Sequence, residues 1–518
     1  MSDPGIIHGF QERRQMEEAI AALGRTASEA ELISQARALA DRFPAERLAP
    51  AVQRHLGDAN SQLRGGLGHL CALLPTELIA PLLREVAGNR QKTPIERMSA
   101  LLILERYLGE SVSPALTNDL AGNDDIAMQS LLEAIEEGRS NRHVLLEYVT
   151  QMQEHGVDVA YMVMGLLNKA PIADQVEVLR LIAQDQRTQV ARAALDHLAA
   201  LAAAENDGRA LRALHTLAYA LPPALADYTQ RSLRKLQFTG RRHQPPADDD
   251  WRTLLSPADA GGYFHLWLMR SPSAPDRADG VLIGLTLGLQ QGIMQCSGVE
   301  SMEASQLPPP HAVGDLVPVE EEGALQGAML EAPFAVGRWL LAEVTNTHWQ
   351  QPDVADLPSE YKLYNDLIWQ FPAPTLPEAY QFIFAKTVNS GLEQPDMQTL
   401  SEAADGLVAH PAMRAWVQWA ASVWTMLAPA KVVAVLDQAR TLVDYILREI
   451  DALPQRTQFL ESMASALRVQ ALWFAIHGAD DNARRAMLLA HWMRSVPMRQ
   501  NPLLAGLLAA GLVKQQAN

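Results

Sequence analysis

The chain has 518 residues, 48% of them hydrophobic and 20% charged, and this balance excludes an intrinsically disordered chain and leaves room for more than one packed core. Lys and Arg number 43 against 60 Asp and Glu, for a net charge of -17. That average disfavours non-specific attraction to phosphate backbones or anionic lipid, so any such contact needs a locally basic patch.

Residues 1 to about 27 are polar and read as a helical cap, with Gln11 to Leu23 as its helix. From Ser28 onward a period emerges. Arg64, Arg97, Gln129, Tyr161 and Arg192 recur at roughly 31 to 33 residues, the range of two-helix repeats. Residues three and six places later are mostly aliphatic: Leu67 and Leu70, Ala100 and Ile103, Leu132 and Ile135, Met164 and Leu167, Leu195 and Leu198. Each pair forms a stripe on one helix face that is buried only when the next repeat stacks on it. Punctuation fits the same cycle: a break at Pro75 and a stop at Gly88, then Pro94 as a start, Gly109 between helices and Gly122 at the end.

Leu63-Arg64 and Glu96-Arg97, each followed by small and aliphatic residues, resemble the HEAT-like repeat family in its short-repeat bacterial form, over about residues 28–238. The resemblance implies an α-solenoid offering an extended concave face. Gln129 and Tyr161 depart from the usual basic residue, and the period is shorter than the roughly 40 to 47 residues of longer HEAT or armadillo units. HEAT-like folds include DNA glycosylases and phycobilin lyases, but no active residue of either can be placed on this sequence.

The array closes on Arg231, Arg234, Lys235, Arg241, Arg242 and His243, then Pro245-Pro246 and Asp248-Asp249-Asp250. A basic run, a proline pair and an acidic run predict a linker at 241–250, ending an N-terminal domain of 1–240. Every tryptophan lies at or after Trp251, so the two sides of this boundary pack differently.

Two-residue alternation follows. Tyr263, His265, Trp267 and Met269 share one face, as do Val281, Ile283, Leu285 and Leu287, and a third strand runs from Ile293 to Val299 after the glycine-flanked turn Gly288 to Gly292. The segment from Pro308-Pro309-Pro310 to Glu320, Glu321 and Glu322 reads as irregular, and helices are predicted at 332–348, 359–370 and 376–390. Together these make a small α+β module with an antiparallel sheet over 251–395. The remainder, 396–518, is predicted to be a helical bundle: Lys431 to Ile450, Gln458 to His477 and Asp480 to Ser495 carry apolar faces, and Trp416, Trp419, Val423 and Trp424 read as core. The predicted fold is thus mainly α.

No phosphate-binding loop, dinucleotide fingerprint, Gly-x-Ser-x-Gly elbow, His-Glu-x-x-His or paired Cys-x-x-Cys is present. The most site-like pair is His265 with Cys296, a base and a thiol if their strands are neighbours, though each also reads as an ordinary strand residue. His69 and Cys71 are two apart on one helix and do not share a face. Cys71 and Cys296 read as free thiols, and with no leader-like start and no apolar run of roughly 20 residues the expected location is the bacterial cytoplasm. No cofactor and no metal is expected. The function expected is a protein-interaction scaffold rather than an enzyme, with Arg64, Arg97, Arg192, Arg231, Arg234, Lys235, Arg241 and Arg242 as its candidate interaction surface. The alternatives are a small ligand in the 251–395 module and nucleic-acid binding through 231–243.

Overall fold

The computed structural model describes all residues except 1–3, 27–28, 59, 90, 111–123, 205–207, 275–276, 321–325, 352–355, 386–394, 428–438 and 518. Among the described residues are 22 helices and one six-stranded antiparallel sheet. They form two compact units: Met1–Tyr148 with His155–Pro171, and Val149–Glu154 with Ile172–Asn518.

The first unit is helical. Its helices are α1 (Pro4–Leu23), α2 (Glu29–Arg42), α3 (Ala45–His55), α4 (Ser61–Cys71), α5 (Thr76–Gly88), α6 (Pro94–Leu102), α7 (Asp124–Gly138), α8 (His143–Gln153), whose last turn belongs to the second unit, and α9 (Val157–Leu167). Side-chain chemistry sets several starts: Asn60 accepts from Leu63 N at 3.0 Å to cap α4, and Thr93 and Glu96 form a reciprocal capping box ahead of Pro94. The periodic positions fall at equivalent places, Arg64 in α4, Arg97 in α6, Gln129 in α7 and Tyr161 in α9. The aliphatic stripes behind them are buried, except that Leu132 is exposed. Helices here pack on others one to three places away in the chain: α1 on α2 and α4, α2 on α4, α3 on α4 and α5, α5 on α6, α7 on α9. The second half of the repeat expected from Lys92, including Gly122, lies outside the described residues.

The second unit begins with four more helices, α10 (Ile172–Ile182), α11 (Thr188–Ala204), α12 (Arg209–Ala220) and α13 (Pro223–Phe238), each touching the next and the next but one. Arg192 continues the periodic series on α11. The sheet follows, with strands β1 (Trp251–Leu255), β2 (Tyr263–Arg270), β3 (Gly280–Gly288), β4 (Gly292–Met302), β5 (Leu316–Glu320) and β6 (Gln326–Ala332) in the order β4-β3-β2-β1-β6-β5. The three expected strands are present, and three more extend the sheet. β5 lies in the stretch expected to be irregular, and Glu321 and Glu322 lie outside the described residues.

Directly opposed residues share a sheet face. Thr253, Leu268, Ile283 and Gly298 are in one such row, and this face is covered by α14 (Phe334–Trp349) and α15 (Ser359–Trp369). Close approach is possible because glycines stand at the contacts. A Cβ on Gly337 would lie 2.7 Å from Thr253 Oγ1, and one on Gly292 would lie 2.5 Å from His348. The other face buries a small cluster of Leu254, Met269, Val317 and Met329 with Leu307. Of the helix expected over 376–390 only the turn α16 (Glu378–Gln381) is seen, and 386–390 lie outside the described residues.

The chain ends in α17 (Met397–Val408), α18 (Arg414–Leu427), α19 (Ala439–Asp451), α20 (Arg456–Ile476), α21 (Asp480–Trp492) and α22 (Pro502–Ala517), with α22 touching α17, α18 and α19 and α21 touching α17 and α20. Trp416, Val423 and Trp424 are core as expected, and Trp416 and Trp473 tie these helices to the sheet by donating Nε1–H to the carbonyls of Ala258 and Leu255, at 2.6 and 3.1 Å. The first half of the Lys431 helix lies outside the described residues, but Leu442, Val443, Ile446 and Ile450 are buried in α19. No helix among the described residues is long and apolar enough to cross a membrane.

The linker expected at 241–250 lies inside the second unit. That stretch carries neither helix nor strand, yet it does not part the compact units. Helices α10 to α13 are fastened to the sheet module through α15. Buried Arg180 donates to the carbonyls of Lys362 and Leu363, and Gln184 exchanges hydrogen bonds with Lys362 O and Asn365. Tyr219 stacks on Trp369 with centroids 5.7 Å apart, and Trp349 Nε1 donates to Ala220 O at 3.1 Å. Parting these elements would strip partners from buried polar groups, which is why they stay in one unit.

Candidate functional site

Helix α13 buries Leu225, Thr229 and Leu236 and leaves the opposite side open. Arg231, Arg234, Lys235 and Phe238 are all exposed, and their spacing of three, four and seven residues places them on one stripe. Phe238 is 91% exposed, the most exposed large apolar side chain among the described residues. An aromatic at helical spacing is ordinarily core. Here it stands beside three cations in solvent.

The helix ends in a Schellman motif: Gly240 N donates to Gln237 O and Arg241 N to Leu236 O, with Gly240 at φ 82°. This turn carries Arg241, Arg242 and His243 back past the start of α12, where Gly208, at φ 74°, precedes Arg209 and Arg212. The five cationic or basic side chains, Arg209, Arg212, Arg241, Arg242 and His243, line a concavity of about 470 Å³. The first turn of α12 holds no acidic residue, so its two arginines sit where the helix dipole disfavours cations.

Behind this cup the positive groups continue inward. The rings of His243 and His215 lie 4.4 Å apart, and each Nε2–H donates to a backbone carbonyl, of Gln370 at 2.7 Å and Phe371 at 2.9 Å. Burial holds both imidazoles below their ordinary pKa. The carbonyls oppose this, but the charge of Arg212 depresses His243 further, and His243 and Arg338 do the same to His215. Arg338 is buried among Phe334, Trp369 and Phe371 and donates to Ile368 O and Pro372 O; burial lowers its guanidinium to about 10.

Of the residues singled out by sequence, Arg231, Arg234, Lys235, Arg241 and Arg242 are in this region. Arg64 and Arg97 are engaged within the fold, and Arg192 is exposed. Arg64 is half-buried, paired with Glu133 and donating to Asp58 O at 2.5 Å; Arg97 is buried with Nε on Ala87 O at 2.8 Å; Arg192 is exposed but lies over the Tyr228 ring at 4.6 Å. Arg64 and Arg97 thus hold neighbouring parts of the helical array together.

His265 and Cys296 do not form a pair. His265 is in register with Thr286 and Gln295, whereas Cys296 is in register with Leu285 and Leu266, so the two side chains are on opposite faces of the sheet. His265 Nδ1 is 3.3 Å from Thr286 Oγ1. Burial, with the nearby charge of Glu360, pushes the Cys296 thiol pKa well up, the reverse of what a nucleophile needs. Cys71 is buried in the first unit and its pKa is raised to about 12. Among the described residues no three His, Cys, Asp or Glu side chains are grouped to hold a metal ion.

A second concavity, of about 300 Å³, lies between the turns of the helical array and Trp349, Asp356 and Lys362. Its charges are already matched, Lys362 with Asp356 and Asp185 with Arg187. Sequence reasoning missed Arg209, Arg212 and Phe238. The signal for the first two was Gly208 followed by arginines three apart, a helix start with the wrong sign of charge. No family model matches the chain, and neither a curated protein nor a solved structure was found to match it.

Proposed function

We propose that this chain is a non-enzymatic protein-interaction scaffold of the bacterial cytoplasm, built on a HEAT-like solenoid, whose contact face includes Arg231, Arg234, Lys235 and Phe238. The observation that carries this reading is the exposed α13 stripe. Arginine and aromatic side chains are the residues that most often anchor protein interfaces, and a solvated phenylalanine gains apolar burial only from a partner. The stripe's charge suits a partner with an acidic surface. Support for the repeat reading comes from the packing of helices on near neighbours in the chain, the pattern of stacked arrays.

The enzyme alternative is weakened by the separation of His265 and Cys296 to opposite faces. The test is affinity capture from native extract with the whole chain as bait, beside the variant carrying R231E, R234E, K235E and F238S. All four positions are exposed, so the variant keeps its fold. A protein retained by the unaltered chain and lost by the variant supports the reading. Equal retention by both baits overturns the assignment of the face.

A further inference from the structure

The cup between α12 and residues 240–244 gathers four arginines and a histidine, with no acidic residue in its lining among the described residues. Arg209 and Arg241 have partners within the chain, which leaves Arg212, Arg242 and His243 to meet a ligand. Arg212 and Arg242 are exposed and enter no ion pair among the described residues, and His243 completes the wall with its ring fixed by the Gln370 carbonyl. Like charges crowded into one concavity repel one another; burial lowers the pKa of His243 first, and the charge of Arg212 lowers it further.

The chemistry of the missing counter-charge follows from the donors. A carboxylate offers two oxygens and one charge. A phosphate monoester offers three oxygens and nearly two charges, which suits convergent guanidinium forks far better. An extended polyanion fits poorly, because exposed Asp248, Asp249 and Asp250 follow within a few residues and the chain as a whole carries -17. We propose that the cup is a binding site for a single phosphate-monoester group, brought either by a small metabolite or by a phosphorylated side chain. This site is separate from the α13 stripe, and its failure leaves the scaffold reading standing.

The test is calorimetric titration of the whole protein at constant ionic strength with phenyl phosphate, a phosphoserine peptide, acetate and a short thymidine oligonucleotide. The expected result is saturable binding of the monoester at one site and none of acetate. The double variant R212Q/R242Q, altered only at exposed positions, should bind at least about tenfold more weakly with an unchanged circular dichroism spectrum. His243→Gln keeps a donor for the Gln370 carbonyl and should weaken binding less. A phosphoserine peptide tighter than phenyl phosphate assigns the group to a modified protein, and the reverse order assigns it to a metabolite. Unchanged binding by R212Q/R242Q, binding of acetate as tight as phosphate, or steeply salt-dependent binding of the oligonucleotide in preference to the monoester would each overturn the proposal.

Discussion

The guanidinium of Arg180, on a helix of the repeat-like array, donates from Nη1 to Asn365 Oδ1 at 3.0 Å, on the helix that covers the sheet. The same group reaches the carbonyls of Lys362 and Leu363 and pairs with Glu177 at 2.8 Å, so a 1%-exposed cation is fully engaged. Arg180→Ala leaves those acceptors buried without a donor. The expected cost is about 3 to 5 kcal/mol, read as a lowered urea midpoint. A change below about 1 kcal/mol would show that water replaces the side chain there.

The same contacts dictate where the chain can be cut. A fragment beginning at Ile172 retains Arg180, Gln184, Tyr219 and every partner they have on α15. One beginning at Trp251 uncovers Trp369 and orphans the Phe371 and Gln370 carbonyls. The first is expected to give one cooperative thermal transition and the second to melt broadly or aggregate, as followed by circular dichroism.

Tyr364 packs flat against the backbone of Gly298, and its hydroxyl donates to Gly298 O at 3.0 Å. A Cβ at Gly298 would lie 2.1 Å from the Tyr364 ring. Because that ring is buried, it has nowhere to retreat. Gly298→Ala should cost about 1 to 3 kcal/mol by overpacking, measured by thermal denaturation, while the exposed neighbour change Ser297→Ala should leave stability nearly unaltered.

His215 and His243 have folded-state pKa values below the ordinary imidazole value, through burial first and neighbouring cations second. The unfolded chain therefore binds more protons in the window just below pH 6.5. Their contribution to stability is complete above that pH and declines as pH falls through it towards the folded values. Thermal midpoints are expected to drop between pH 7.5 and 5.5, and the drop should shrink in H215Q/H243Q, which retains donors for the two carbonyls. An identical pH dependence in the variant would contradict this.

Much of the secondary structure is legible in the sequence because it is carried by local pattern. The period from Arg64 to Arg192 marks α4, α6, α7, α9 and α11, and two-residue alternation marks β2, β3 and β4. β1 and β5 are missed for physical reasons: each has five residues, β1 directly follows three aspartates, and β5 contains Pro318, which only an edge strand tolerates. The candidate site is harder to read because it is assembled from distant pieces. Arg212 and Arg242 meet only after α13 has run out and its Schellman turn has brought the chain back. Arg64 and Arg97 mislead in the opposite direction, since a periodic arginine with a backbone carbonyl or a glutamate to satisfy is structural. Phe238 is a helix-spaced apolar residue like its core neighbours, and only the fold shows that it is left in water.

The scaffold reading is tested most directly by cross-linking the whole chain in native extract and mapping the linked positions by mass spectrometry, with R231E/R234E/K235E/F238S as the paired bait. The reading predicts cross-links from Lys235 to one protein partner, absent in the paired bait, which lacks that lysine, together with loss of the same partner from affinity capture by that bait. Capture of the same proteins by both baits, or of none above the background of an unrelated acidic protein, would contradict it.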